Sequence, residues 1–125
     1  MQSAVAAALT SQGVGGNNRK KDNFRVGAAI FKGPRLLMAA CNKYKQSTKL
    51  LKYTPWPFIH AESAAILRLG FDECVGATLY VCRVLRDRSI TIAKPCPVCK
   101  EIIKQSGLKE CYYTNREGII EQLEF

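Results

Sequence analysis

Two short segments constrain this chain more than anything else in it: His60-Ala61-Glu62 and Pro95-Cys96-Pro97-Val98-Cys99. His60 is the only histidine. Zinc favours imidazole and thiolate donors, and a catalytic zinc takes three protein ligands while leaving a fourth position for water. His60, Cys96 and Cys99 supply that count. Each segment opens a predicted helix, so the fold has to bring two helix starts together. Both thiols then lie in a first helical turn, where unpaired N–H groups and the positive end of the dipole favour negative charge. Pro97 suits the first helical position, where its missing N–H costs nothing.

Glu62 is two residues from His60, too close for the two side chains to point the same way inside a helix. At a helix start the geometry is easier, because His60 takes the capping position while Glu62 reaches beside the metal. A carboxylate there can take a proton from a metal-activated water and pass it on to a reacting group. Two plainer readings compete with this one. A closed structural zinc site would recruit Cys41, Cys74, Cys82 or Cys111 as a fourth ligand and leave Glu62 on the surface. A disulfide switch between Cys96 and Cys99 would leave His60 and Glu62 without a role.

The elements around these segments follow from period and punctuation. The alanine-rich stretch from about Gln2 to Ser11 reads as a helix, broken by Gly13, Gly15, Gly16, Asn17 and Asn18. Phe24 to Phe31 alternates as a strand, Lys32-Gly33-Pro34-Arg35 turns, and Leu36 to Cys41 returns as the second arm of a hairpin. Pro55 and Pro57 forbid a regular element at the end of 43–59. His60 to Leu69 is a predicted helix stopped by Gly70, Ala77 to Arg83 a strand, and Cys96 to Ser106 a helix stopped by Gly107. Lys109 to Thr114 is a strand, and Asn115-Arg116-Glu117-Gly118 a turn into an antiparallel last strand, Ile119 to Phe125. The order predicts one α/β domain over 1–125: a central mixed five-stranded sheet between helices, in three layers, closing with an antiparallel C-terminal hairpin.

Composition narrows the chemistry further. Six cysteines in 125 residues suggest a disulfide framework only in an exported chain. Met1 to Thr10 lacks the charged leader of a secretory signal, and no apolar run approaches a membrane span. The expectation is a cytoplasmic protein with no membrane partner. The net charge of +9 favours an anionic partner, either a phosphorylated small molecule or a nucleic acid.

The conjunction of H-x-E with P-C-x-x-C resembles the signature of zinc-dependent nucleobase deaminases, and the chain resembles the cytidine and deoxycytidylate deaminase superfamily over nearly its whole length. Phe24-Arg25-Val26-Gly27-Ala28-Ala29 looks like the F-x-V-G-A-A strand of nucleoside cytidine deaminases, and Cys41-Asn42 like the Cys-Asn that ends their second strand. The resemblance implies a cytidine-deaminase-like fold, one catalytic zinc per chain, and assembly as a homo-oligomer. It also implies that Phe24 and Val26 flank the base, that Asn42 bonds the sugar or base, and that the Ala61 N–H meets the pyrimidine carbonyl. The bland readings are core packing for Phe24 and Val26 and turn formation for Asn42. Three departures stand out. His60 replaces the third cysteine of the nucleoside enzymes, Tyr44 stands where they carry a ribose-binding glutamate, and the closing hairpin differs from the parallel last strand usual in the His-type groups.

The segment 43–59 delivers the chain to His60. It interleaves Lys43, Lys45, Lys49 and Lys52 with Tyr44, Tyr53, Trp56 and Phe58, the ingredients of single-strand nucleic-acid binding. Trp56 is a candidate substrate contact, and the plainer alternative is a solvated loop anchored by apolar rings. The expected reaction is conversion of cytosine to uracil in a free cytidine or deoxycytidine nucleotide or nucleoside, such as dCMP. Two alternatives are action on cytosine in single-stranded DNA or RNA, and a zinc-stabilised nucleic-acid-binding module without catalysis.

Overall fold

A computed structural model describes residues 1–9, 25–42, 60–85 and 89–125. The elements are α1 (Gln2–Leu9), β1 (Arg25–Lys32), β2 (Arg35–Cys41), α2 (Ala61–Leu69), α3 (Phe71–Cys74), β3 (Thr78–Val84), β4 (Ile90–Thr91), α4 (Pro97–Gln105), β5 (Glu110–Thr114) and β6 (Ile120–Gln122). They build one sheet in the order β2-β1-β3-β5-β6, with β4 paired to β3. Among the described strands only β3 and β5 run parallel, and the other pairings are antiparallel. The mixed sheet is as expected, with a sixth strand added by the two-residue β4.

Alternation in β1 and β3 decides which side chain meets which helix, since successive residues of a strand face opposite ways. Ala28, Ile30, Leu79 and Val81 face α2 and α4 and pack with Ala64, Ala65, Ile66, Ile102 and Ile103, all fully buried. Each large aliphatic group there stabilises the fold by roughly 1.5–3 kcal/mol. The other face carries Ala29, Cys82 and Val84 against Ala4 and Ala8 of α1. Helices therefore cover both faces, giving the three layers.

The alanines of α1 are matched to one glycine. A Cβ built on Gly27 would run into the carbonyl oxygen of Ala4 and the amide nitrogen of Ala8. Only a residue with no side chain lets helix backbone lie this close to strand backbone. The glycine quoted in the strand motif thus has a packing reason.

The chain closes with the antiparallel hairpin, where Thr114 pairs with Ile120 and Tyr112 with Gln122. Asn115 builds the turn. Its Oδ1 accepts from the N–H of Glu117 and of Ile119, both at 2.9 Å, while its own N–H donates to Ile119 at 2.8 Å. Gly118 supplies the positive φ of 78° that the tight return requires. Thr10 and Ser11 of the first predicted helix, Phe24 of the first predicted strand and the segment 43–59 lie outside the described residues.

Candidate metal centre

His60 is the N-cap of α2 and Cys96 the N-cap of α4, both with extended backbone. At that position the side chain leaves the helix axis, and the residue's carbonyl still accepts the first helical bond. His60 O accepts from Ala64 N–H at 2.9 Å, and Cys96 O from Lys100 N–H at 2.8 Å. The His60 ring makes no capping bond. It turns instead toward the other helix, placing Nδ1 3.2 Å from Cys99 Sγ and 3.6 Å from Cys96 Sγ. Cys96 does cap its helix, its sulfur accepting from Cys99 N–H at 3.4 Å. Pro97 occupies the first turn as expected.

The three donor atoms lie within 4.8 Å of one another. One imidazole and two sulfurs at that spacing fit one zinc ion, with a ligand position left over. Among the described residues no other His, Cys, Asp or Glu joins the group. Cys74, Cys82 and Cys111 are buried in the cores instead. Burial pushes the Cys74 and Cys82 thiols up to about 11 and raises Cys111 further, the state of inert core thiols. The fourth-cysteine reading therefore finds no support, and all six thiols are free.

The electrostatics of the centre are opposed group by group. Burial raises Glu62 above the ordinary carboxylate range, against the pull of its own backbone N–H and of His60. Burial works against a charged His60, but the Cys96 hydrogen bond and the charges of Glu62 and Cys96 outweigh it, so the imidazole is raised. Cys96 is pushed down to about 4, first by the hydrogen bond it accepts from Cys99 and then, against burial, by His60. Cys99 is pushed far up by donating to Cys96, by burial and by Glu62.

Glu62 is the second residue of α2 and only 5% exposed, so its carboxyl is buried beside the ligands instead of lying on the surface. Ala61, fully buried, is the first helical residue, whose N–H has no partner within the helix. Val26 and Asn42 are brought together at one end of the sheet. Asn42 Oδ1 accepts from Val26 N–H at 3.1 Å, and Val26 O accepts from Asn42 N–H at 3.1 Å. Phe24 and Trp56 lie outside the described residues. Sequence reasoning passed over Ser63, whose hydroxyl sits 3.2 Å from Cys99 Sγ. The signal available was a hydroxyl within the apolar run Ala61 to Leu69.

No described helix is long and apolar enough to cross a membrane. Comparison with curated proteins finds no match. Among solved structures the chain is similar to the apo crystal structure of dCMP deaminase from the cyanophage S-TIM5. The TM-score is 0.60 and the identity 23%, over 91% of this chain and 78% of that one. At this identity the likeness is one of fold. Residues 1–115 match the sequence profile of the cytidine and deoxycytidylate deaminase zinc-binding region. With the profile spanning every strand but the last, both helix starts and all three ligating atoms, the chain belongs to the cytidine and deoxycytidylate deaminase zinc-binding family.

Proposed function

We propose that residues 1–125 act as one catalytic unit that hydrolyses the exocyclic amine of cytosine, giving uracil and ammonia, in a free cytidine or deoxycytidine nucleotide or nucleoside. The observation that carries this reading is the His60 Nδ1 atom standing 3.2 and 3.6 Å from two thiols, with a buried carboxyl two residues along. His60, Cys96 and Cys99 hold the metal. When bound, zinc supplies the Lewis acidity that makes water nucleophilic near neutral pH. Glu62 accepts the proton of the attacking water, delivers it to the ring nitrogen, and then carries a proton to the departing amine. Its raised affinity for protons suits a group that must both take and give one. Ala61 N–H, unused within its helix, donates to the pyrimidine carbonyl. Val26 and Asn42, tied to each other, hold base and sugar, and Phe24 and Trp56 are assigned to substrate contact from the sequence. The fold shared with a phage dCMP deaminase supports a small cytosine nucleotide as substrate.

Purified protein should convert dCMP or cytidine. Glu62→Gln should keep zinc at wild-type stoichiometry and lose about 10²–10⁴-fold in turnover. A variant that still turns over removes Glu62 from the chemistry. Wild-type protein that converts only cytosine in a single-stranded oligonucleotide overturns the free-nucleotide reading, and one that binds nucleic acid without converting any cytosine is a binding module.

A further inference from the structure

Ser63 is the third residue of α2 and only 3% exposed. A serine inside a helix ordinarily satisfies its hydroxyl against a carbonyl one turn back or in water. This one reaches across to the other helix, where its Oγ lies 3.2 Å from Cys99 Sγ. The contact spans 36 residues of sequence and joins the helix that carries His60 to the helix that carries Cys99. Cys96 already has a donor of its own, the N–H of Cys99 at 3.4 Å. Besides the imidazole and each other, the two sulfurs thus each have one further polar neighbour among the described residues, for Cys96 from its own helix and for Cys99 from the neighbouring helix.

We propose that Ser63 is a positioning residue of the zinc centre: its hydroxyl donates to the Cys99 sulfur, offsets part of that thiolate's charge and fixes Cys99 relative to His60. This rests on the zinc reading of the site. A thiolate ligand has no proton to give, so with the metal bound the hydroxyl must be the donor. A sulfur that shares its charge with a donor is a weaker electron source to the metal, and groups in this outer position commonly set metal affinity and ligand orientation. Losing the hydroxyl also leaves a buried thiolate short of a partner, which is costly in surroundings closed to water.

Three variants isolate the hydroxyl. S63A removes it, S63T keeps it, and S63V has the shape of threonine without it. Zinc affinity is read by competition with a chromophoric chelator, and the sulfur–metal bond by the charge-transfer bands of the cobalt-substituted protein. S63A and S63V should lose roughly 10–100-fold in zinc affinity and shift the charge-transfer bands. S63T should stay near wild type in both. Equal affinity and equal spectra for S63T and S63V overturn the proposal, because the two differ in the hydroxyl and hardly in volume. A wild-type protein that binds no zinc fails one level earlier and takes the zinc reading with it.

Discussion

Cys96 and Cys99 are three residues apart on one helix, yet their thiols hold protons with opposite tenacity. Cys96, accepting from Cys99 and paired with His60, is a thiolate at neutral pH, while Cys99 keeps its proton. His60 is raised, so part of the population carries an imidazolium opposite that thiolate. Zinc needs a neutral imidazole and two thiolates. Loading the metal must therefore expel the Cys99 proton and the fraction of a proton on His60. Calorimetric titration of apoprotein in buffers of different ionisation enthalpy should give roughly one to two protons released per zinc at pH 7. Affinity rises with pH because deprotonated ligands bind, and acidification should strip the metal. Release of no protons would mean that the ligands are not these three. At this scale the sequence was most legible. Ligand types and the C-x-x-C spacing pick out His60, Cys96 and Cys99, whose donor atoms the fold brings within 4.8 Å of one another, and the motif points to Glu62, which the fold buries. Ser63 was not legible, because its partner stands on another helix and only folding sets that distance.

Long elements declared themselves by period and by their stops, and short ones did not. β1, β2, β3, β5, α2 and α4 fall within a residue or two of where alternation, Gly70 and Gly107 put them, and the closing hairpin forms with a last strand that ends at Gln122, three residues short of the expected Phe125. α3 is a four-residue turn, and β4 is two residues, Ile90 and Thr91. Neither length carries a period. β4 exists because Arg83 and Val84 offer backbone partners to Thr91 and Ile90, a tertiary fact. It also guides the chain toward Cys96: two residues on, Ala93 N–H donates to Thr114 O at 2.8 Å, on the β5 side of β3. The interface between α1 and β1 gives the sharpest mutational expectation at this scale. Gly27→Ala puts a methyl group where α1 backbone lies, so the helix must move away from the sheet. Overpacking of this kind costs about 1–3 kcal/mol. The urea midpoint should fall with an unchanged slope, and the zinc centre, built on the opposite face, should keep its metal. A midpoint equal to wild type would mean that α1 does not pack there.

Across the whole molecule, charge is distributed unevenly along the sequence. Nine of the 19 basic residues, but only two of the ten acidic ones, fall in 10–24, 43–59 and 86–88. The remainder of the chain is close to neutral, so the +9 excess belongs mostly to three segments. The segment 43–59 joins Asn42 to His60, a proposed substrate contact and the first metal ligand. A positive field there raises the local concentration of any anionic cytosine compound, and its salt dependence separates the candidates. A polymer held through about five phosphates loses roughly 100-fold in affinity between 50 and 200 mM salt, since the logarithmic slope is about −0.7 per phosphate contact. A mononucleotide has no condensed counterions to release, so its affinity falls over the same range only by ordinary screening, far less steeply. On the proposed reading, the fall for dCMP should appear in kcat/KM and leave kcat unchanged, because the phosphate carries the charge and the reacting base is neutral. Uncharged cytidine should show almost no salt effect at all. A steep, polymer-like slope for an oligonucleotide, with dCMP turnover negligible at every salt concentration, would move the substrate from the nucleotide pool to the nucleic acid.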